Sequence, residues 1–134
     1  MAGYSGKPLA EKLGIEPNAT TFLENLPSAI RAELAPALAK TKVVKSPGPG
    51  IDFILGFATS KVALKADFSR WKNCLSKTGC IWASWPKKTS AIETDLSGDV
   101  VREIGLAAAL VDVKVCAIDE QWSGLKFVFR RADR

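Results

Sequence analysis

The sequence predicts a single three-layer α/β domain: a mostly parallel sheet of about six strands, closed by a reversed edge pair, with helices on both faces. Three observations carry that prediction. Segments with strand character alternate with segments of helical spacing along nearly the whole chain. Two runs, Asp52 to Phe57 (DFILGF) and Cys80 to Trp85 (CIWASW), are continuously apolar over strand length, as strands covered on both faces require. The last two strand-like segments, Val111 to Ile118 and Leu125 to Phe129, are joined by the short polar turn Asp119 to Gly124, so they pair antiparallel. With 134 residues, the chain makes one domain over residues 1–134, burying about two-thirds of the surface it exposes unfolded.

The elements follow in order. Ser5 and Pro8 open a short helix through Leu13, and Gly14 ends it in a left-handed cap. Pro17 and Asn18 turn the chain into a strand at Thr20 to Leu23. Pro27 and Ser28 start a helix over Ser28 to Leu34, and Pro36 is expected to break or restart it because it lacks the N–H that an interior position needs. Thr41 to Val44 is a second short strand, closed by Ser46-Pro47-Gly48-Pro49-Gly50, which cannot form regular structure. After DFILGF, Ser60 caps a helix whose Leu64, Phe68, Trp71 and Leu75 form one apolar stripe. Gly79 follows that helix, and CIWASW follows Gly79. Ser97 caps the last helix, with Asp99 in its first turn at the positive end of the dipole and Val100, Ile104, Ala107 and Ala108 as its apolar face.

Composition excludes more than it assigns. The chain has no histidine, which removes the commonest general base, the usual zinc ligand and every Ser-His or Cys-His nucleophile pair. Nineteen Lys and Arg against fourteen Asp and Glu give a charge of +5, but the basic residues are scattered in runs no longer than two. No basic stripe or aromatic-interleaved motif marks a nucleic-acid partner, so none is expected. Cys74, Cys80 and Cys116 are odd in number and sit in apolar stretches, so they read as reduced, packed thiols. No leader pattern opens the chain and no apolar run approaches 18 residues, so neither export nor membrane insertion is expected and the default compartment is the cytoplasm.

The order of elements resembles the Rossmann-like fold of S-adenosylmethionine-dependent methyltransferases, in a shortened version that closes with a reversed final strand. The opening MAGYSGKPLAEKLGI, the segment WASWPKK and the ending GLAAALVDVKVCAIDEQWSGLKFVFR are also similar to a family of short bacterial proteins classed as a domain of unknown function. That resemblance implies a fold and no reaction. In the methyltransferases the loop after the first strand is glycine-rich, so that the backbone can approach the cofactor closely. Here the loop is Glu24-Asn25-Leu26-Pro27-Ser28, without glycine, and Lys45 stands where an acidic residue would hold the ribose hydroxyls. No cofactor is therefore expected.

Ligands of open α/β sheets bind at the carboxyl edge, beside the point where the strand order reverses. That crevice falls between the strands ending near Leu23 and Phe57, with Glu24, Asn25, Thr59 and Ser84 around it. The same groups serve equally as caps for the helices that follow. Lys87 and Lys88, after Trp85-Pro86, are candidate contacts to an anion at that edge, although a solvated lysine pair needs no such role. Asp95, Asp99, Asp119 and Glu120 read as helix-start and turn residues rather than a metal site. Trp71 belongs to the core, whereas Trp85 and Trp122 sit at element ends where a partly exposed ring could anchor a partner, packing being the simpler role.

No nucleophile has an activating base, so no catalytic residue is assigned. The sequence points to a non-enzymatic, methyltransferase-like module that works through protein contacts or a small ligand. The alternative is an enzyme or sensor for an anionic metabolite or nucleotide at Lys87 and Lys88, and an active methyltransferase comes after both.

Overall fold

A computed structural model describes residues 7–134. The short opening helix α1 spans Leu9–Leu13, with Pro8 as its N-cap, while Ser5 lies outside the described residues. Gly14 closes α1 at φ 74°, the left-handed conformation glycine adopts without a Cβ penalty. Strand β1 is Thr20–Glu24, α2 is Ser28–Leu38, β2 is Lys42–Val44 and β3 is Ile51–Phe57. Then come α3 at Lys61–Cys74, β4 at Leu75–Pro86, α4 at Gly98–Ala107, β5 at Leu110–Ala117 and β6 at Trp122–Phe129.

All six strands form one sheet in the order β2-β1-β3-β4-β6-β5. DFILGF and CIWAS are adjacent parallel strands, with Phe53 opposite Cys80 and Phe57 opposite Ser84. The antiparallel pair lies at the predicted end, and β6 is the reversed strand, bonded to β4 on one side and β5 on the other. The connection from β2 to β3 passes over β1 in residues 45–50 alone, far fewer than the dozen a parallel crossover usually takes. It closes because β2 is only three residues long. Val44 ends level with Phe22 and hence with Ile54, three residues beyond the start of β3.

Two hydrophobic layers hold the helices to the sheet. On one face, Leu64, Phe68 and Trp71 of α3 and Val101 and Ile104 of α4 pack on Ile54, Ile81 and Phe127. On the other, Leu9 and Leu13 of α1 and Ile30, Leu34 and Leu38 of α2 pack on Phe53, Leu55, Phe57 and Trp82. Each such side chain stabilises the fold by about 1.5–3 kcal/mol relative to exposure. α1 is too short to be stable alone and is tied to the sheet by its carbonyls. The Leu13 carbonyl accepts from Trp82 Nε1 at 2.9 Å and the Lys12 carbonyl from Lys114 Nζ at 3.3 Å, while Lys12 Nζ donates to the Ala117 carbonyl at 3.3 Å.

Several expectations are corrected by packing. Pro36 does not break α2, which runs on to Leu38, because the buried face at Leu38 outweighs the hydrogen bond missing at Ala32. Gly79 does not sit at the end of α3: the chain enters β4 directly after Cys74, and Gly79 lies inside that strand. Leu75 is accordingly the first residue of β4 rather than the last of the helix stripe. On α4 the buried residues are Val101, Ile104 and Gly105, with Ala107 exposed, and Gly105 leaves room for the Phe127 ring, which a Cβ there would meet. Trp85 and Trp122, by contrast, take the simpler role expected of them: they are buried at 7% and 8% exposure and join the core, so neither ring is free to anchor a partner. Trp122 packs edge-on to Phe57 with centroids 5.1 Å apart. Pro86 is trans, and the three cysteines are unpaired, Cys116 buried and the other two half-buried.

Candidate functional site at the carboxyl edge of the sheet

The strand order reverses at β1, which lies between β2 and β3, so the crevice forms at the ends of β1 and β3. A cavity of about 200 Å³ opens there, lined by Asn25, Phe57, Thr59, Ala63, Asp67 and Trp122 among others. Of the residues expected around the crevice, Asn25 and Thr59 line it. Asn25 takes the left-handed conformation, φ 57°, which asparagine tolerates better than most residues, and its Nδ2 donates to the Phe57 carbonyl at 3.3 Å. Thr59 offers its carbonyl to the Thr94 hydroxyl at 2.6 Å.

Glu24 is engaged by α3. Its Oε1 accepts from Arg70 Nη2 at 2.9 Å and from the buried indole Nε1 of Trp71 at 2.8 Å. Arg70 also donates to Asp67 Oδ1 at 2.7 Å, so one guanidinium bridges two carboxylates. Burial pushes the Asp67 carboxyl up from the ordinary carboxylate range, and the Glu24 charge adds to this, while Arg70 draws it partly back. The hydrogen bond to Glu24 holds the Arg70 guanidinium still more firmly charged. Sequence reasoning found Glu24 but missed Asp67, Arg70 and Trp71 as its surroundings. The Asp67–Arg70 spacing of three on a helix was the one available signal, whereas the partnership with Glu24 crosses 46 residues.

Ser84 lies in β4 with 1% exposure, and its Oγ has no hydrogen-bond partner among the described residues. Its backbone carbonyl accepts from Ala58 N at 3.0 Å, so it secures the end of β3. Lys87 and Lys88 do not line the cavity. Lys87 N instead donates to the Gln121 carbonyl at 2.8 Å, and its charge acts on the Cys116 thiol together with Lys12 and Lys114. The carboxylates read as turn and helix-start residues take such roles. Asp95 Oδ1 accepts from Lys61 N at the start of α3, and Asp119 Oδ1 accepts from the Gln121 and Trp122 amides.

Neither a protein-family profile nor a curated protein matches the chain. Solved structures do. An S-adenosylmethionine-dependent methyltransferase from Aquifex aeolicus is similar with a TM-score of 0.68 at 11% identity, over 89% of this chain and 86% of that one. A magnesium protoporphyrin IX methyltransferase from Synechocystis with bound S-adenosylhomocysteine gives 0.61 at 8% identity, over 90% and 78%. A protein described as a pericyclic reaction enzyme gives 0.51 at 12% identity, over 96% of this chain and 40% of its own length. The chain therefore has the Rossmann-like methyltransferase fold.

The cofactor that the fold implies does not fit the residues at this edge. Cofactor pockets enclose about 300–1,000 Å³, and the cavity here holds about 200 Å³. The turn after β1 contains no glycine, and Lys45 directly follows β2. The Glu24 carboxylate is already bonded to α3.

Proposed function

We propose that this chain is a binding module on the methyltransferase fold that transfers no methyl group and works through contacts to another protein or a small ligand. The single observation that carries the reading is the engagement of Glu24 by Arg70 and Trp71 at the edge where a cofactor would lie. The fold is shared with methyltransferases, which favours methyl transfer equally well, but fold does not imply reaction. A neighbour described as a pericyclic reaction enzyme illustrates that on this same architecture. Isothermal titration with S-adenosylmethionine and S-adenosylhomocysteine tests the reading. No binding is expected, and a micromolar Kd, about 8 kcal/mol, overturns it.

A second reading, an enzyme or sensor for an anionic metabolite or nucleotide at Lys87 and Lys88, is favoured by the convergence of Lys87, Lys12 and Lys114 around Cys116. Thermal-shift measurements with nucleotides test it, and an equal shift in the K87A/K88A double variant removes it. We also propose, on the segments quoted above alone, a kinship with the family of short bacterial proteins, and a cytoplasmic location; among the described residues no helix is long and apolar enough to cross a membrane.

A further inference from the structure

A larger cavity lies at the other end of the strands. It holds about 470 Å³, within the range of small-molecule sites, and is lined by Glu16, Asn18, Asp52, Thr78, Cys80 and Lys126 among others. Its wall exists because of an irregularity in β4. Ile51 faces Leu75 and Phe53 faces Cys80, so residues 76–79 stand opposite Asp52 alone and bulge outward. The turns that follow α1 form the facing wall, with Asn18 held at φ 68°.

Lys126 is the half-buried cation of this cavity. It has neither a carboxylate nor a hydrogen-bond acceptor among the described residues. In register, it has Trp82 on one side and Lys114 on the other, so two like charges face each other across β5 and β6. Such a pair is destabilising unless an anion offsets it. The Lys114 ammonium is anchored on the α1 carbonyl of Lys12, which leaves the Lys126 ammonium to a ligand. Asp52 is oriented by bonds from Thr20 N at 3.0 Å and Ser76 Oγ at 3.2 Å, and it keeps lone pairs for further donors. Carboxylates accept from sugar hydroxyls in this way.

We propose that this cavity binds a small sugar phosphate, with the phosphate on Lys126 in the field of Lys114 and the hydroxyls donating to Glu16 and Asp52. The Cys80 thiol, pushed up to about 11 by burial, stays protonated and contributes packing rather than chemistry. The site lies at the opposite edge from the methyltransferase-type crevice. It therefore stands whether or not that crevice binds S-adenosylmethionine.

Calorimetric titration of the whole chain with ribose 5-phosphate, ribose and inorganic phosphate tests the proposal. Ribose 5-phosphate is expected to bind with a Kd below about 1 mM, at least about tenfold tighter than ribose or phosphate alone. Lys126→Gln should weaken it about tenfold while raising the melting temperature of the free protein, because the facing charges are relieved. Lys65→Gln, on an exposed lysine of α3 that does not line this cavity, should change neither. The proposal is overturned by no binding of ribose 5-phosphate, by equal binding of inorganic phosphate, or by unchanged affinity in Lys126→Gln. It is also overturned if an oligonucleotide binds while ribose 5-phosphate does not. Should Lys126→Gln fail to fold, Thr78→Val and Glu16→Gln must each weaken binding, and unchanged affinity in either overturns the site.

Discussion

Glu24 at the end of β1 accepts the indole N–H of Trp71 at 2.8 Å from 47 residues away, joining the sheet edge to α3. Trp71 is fully buried, so its N–H has no water to turn to when the carboxylate is lost. Glu24→Ala is expected to destabilise the fold by about 1–3 kcal/mol, and Glu24→Gln, which retains an acceptor, by about 1 kcal/mol. Urea denaturation of both variants measures the difference. A Glu24→Gln protein more stable than the parent would assign Glu24 to a ligand, because residues kept for binding are held at a cost to stability.

At Gly56 and Gly105 the backbone comes up against an aromatic ring, and Gly105→Ala separates competing effects. Alanine in a helix interior is favoured over glycine by about 1 kcal/mol. A Cβ at position 105, however, would overlap Phe127 Cε2, on a ring that is fully buried. Overpacking costs about 1–3 kcal/mol and outweighs the propensity gain. A lower thermal midpoint is expected, and a higher one would mean that α4 lifts off the sheet at no cost. Gly56→Ala should be harmful for the same reason, since its Cβ would meet the Trp71 ring.

Pro36→Ala should stabilise the protein. Pro36 sits on the exposed side of α2 and withholds a hydrogen bond from the Ala32 carbonyl. Removing it recovers about 3 kcal/mol of helix propensity, less about 0.4–1 kcal/mol for the greater freedom of the unfolded chain. A gain of about 2–2.6 kcal/mol in denaturant unfolding is the expected result, and a loss would assign the proline a packing role on α2.

The thiols determine an alkaline limit. Burial raises Cys80 from its ordinary 9.0 to about 11, with the Lys126 charge opposing, and burial also raises Cys116 against the charges of Lys12, Lys114 and Lys87. A raised folded-state value favours the protonated thiol in the fold. The contribution of Cys80 is therefore fully present below pH 9 and is lost as pH climbs toward 11, on the order of 2–3 kcal/mol in all. Cys80→Ala should flatten that part of the pH–stability curve. Alkylation of the native protein near neutral pH should be slow at Cys80 and Cys116, and all three thiols should react after unfolding.

The sequence by itself determined the order of elements, because local signals dominate there. Gly14 and the N-caps Ser60 and Ser97 act within a few residues, and the apolar runs DFILGF and CIWASW are long enough to show burial on both faces. It also located the reversal of strand order that places Asn25 and Thr59 on one cavity. Tertiary structure alone decided what the side chains at that edge do. Glu24 meets Trp71 and Arg70, Lys126 faces Lys114, and the bulge opposite Asp52 opens a cavity at the far edge. None of these relations has a sequence period, since each depends on which elements the sheet brings side by side. The same holds for Pro36 inside α2, where the burial of neighbouring apolar faces overrode what the local residue favoured.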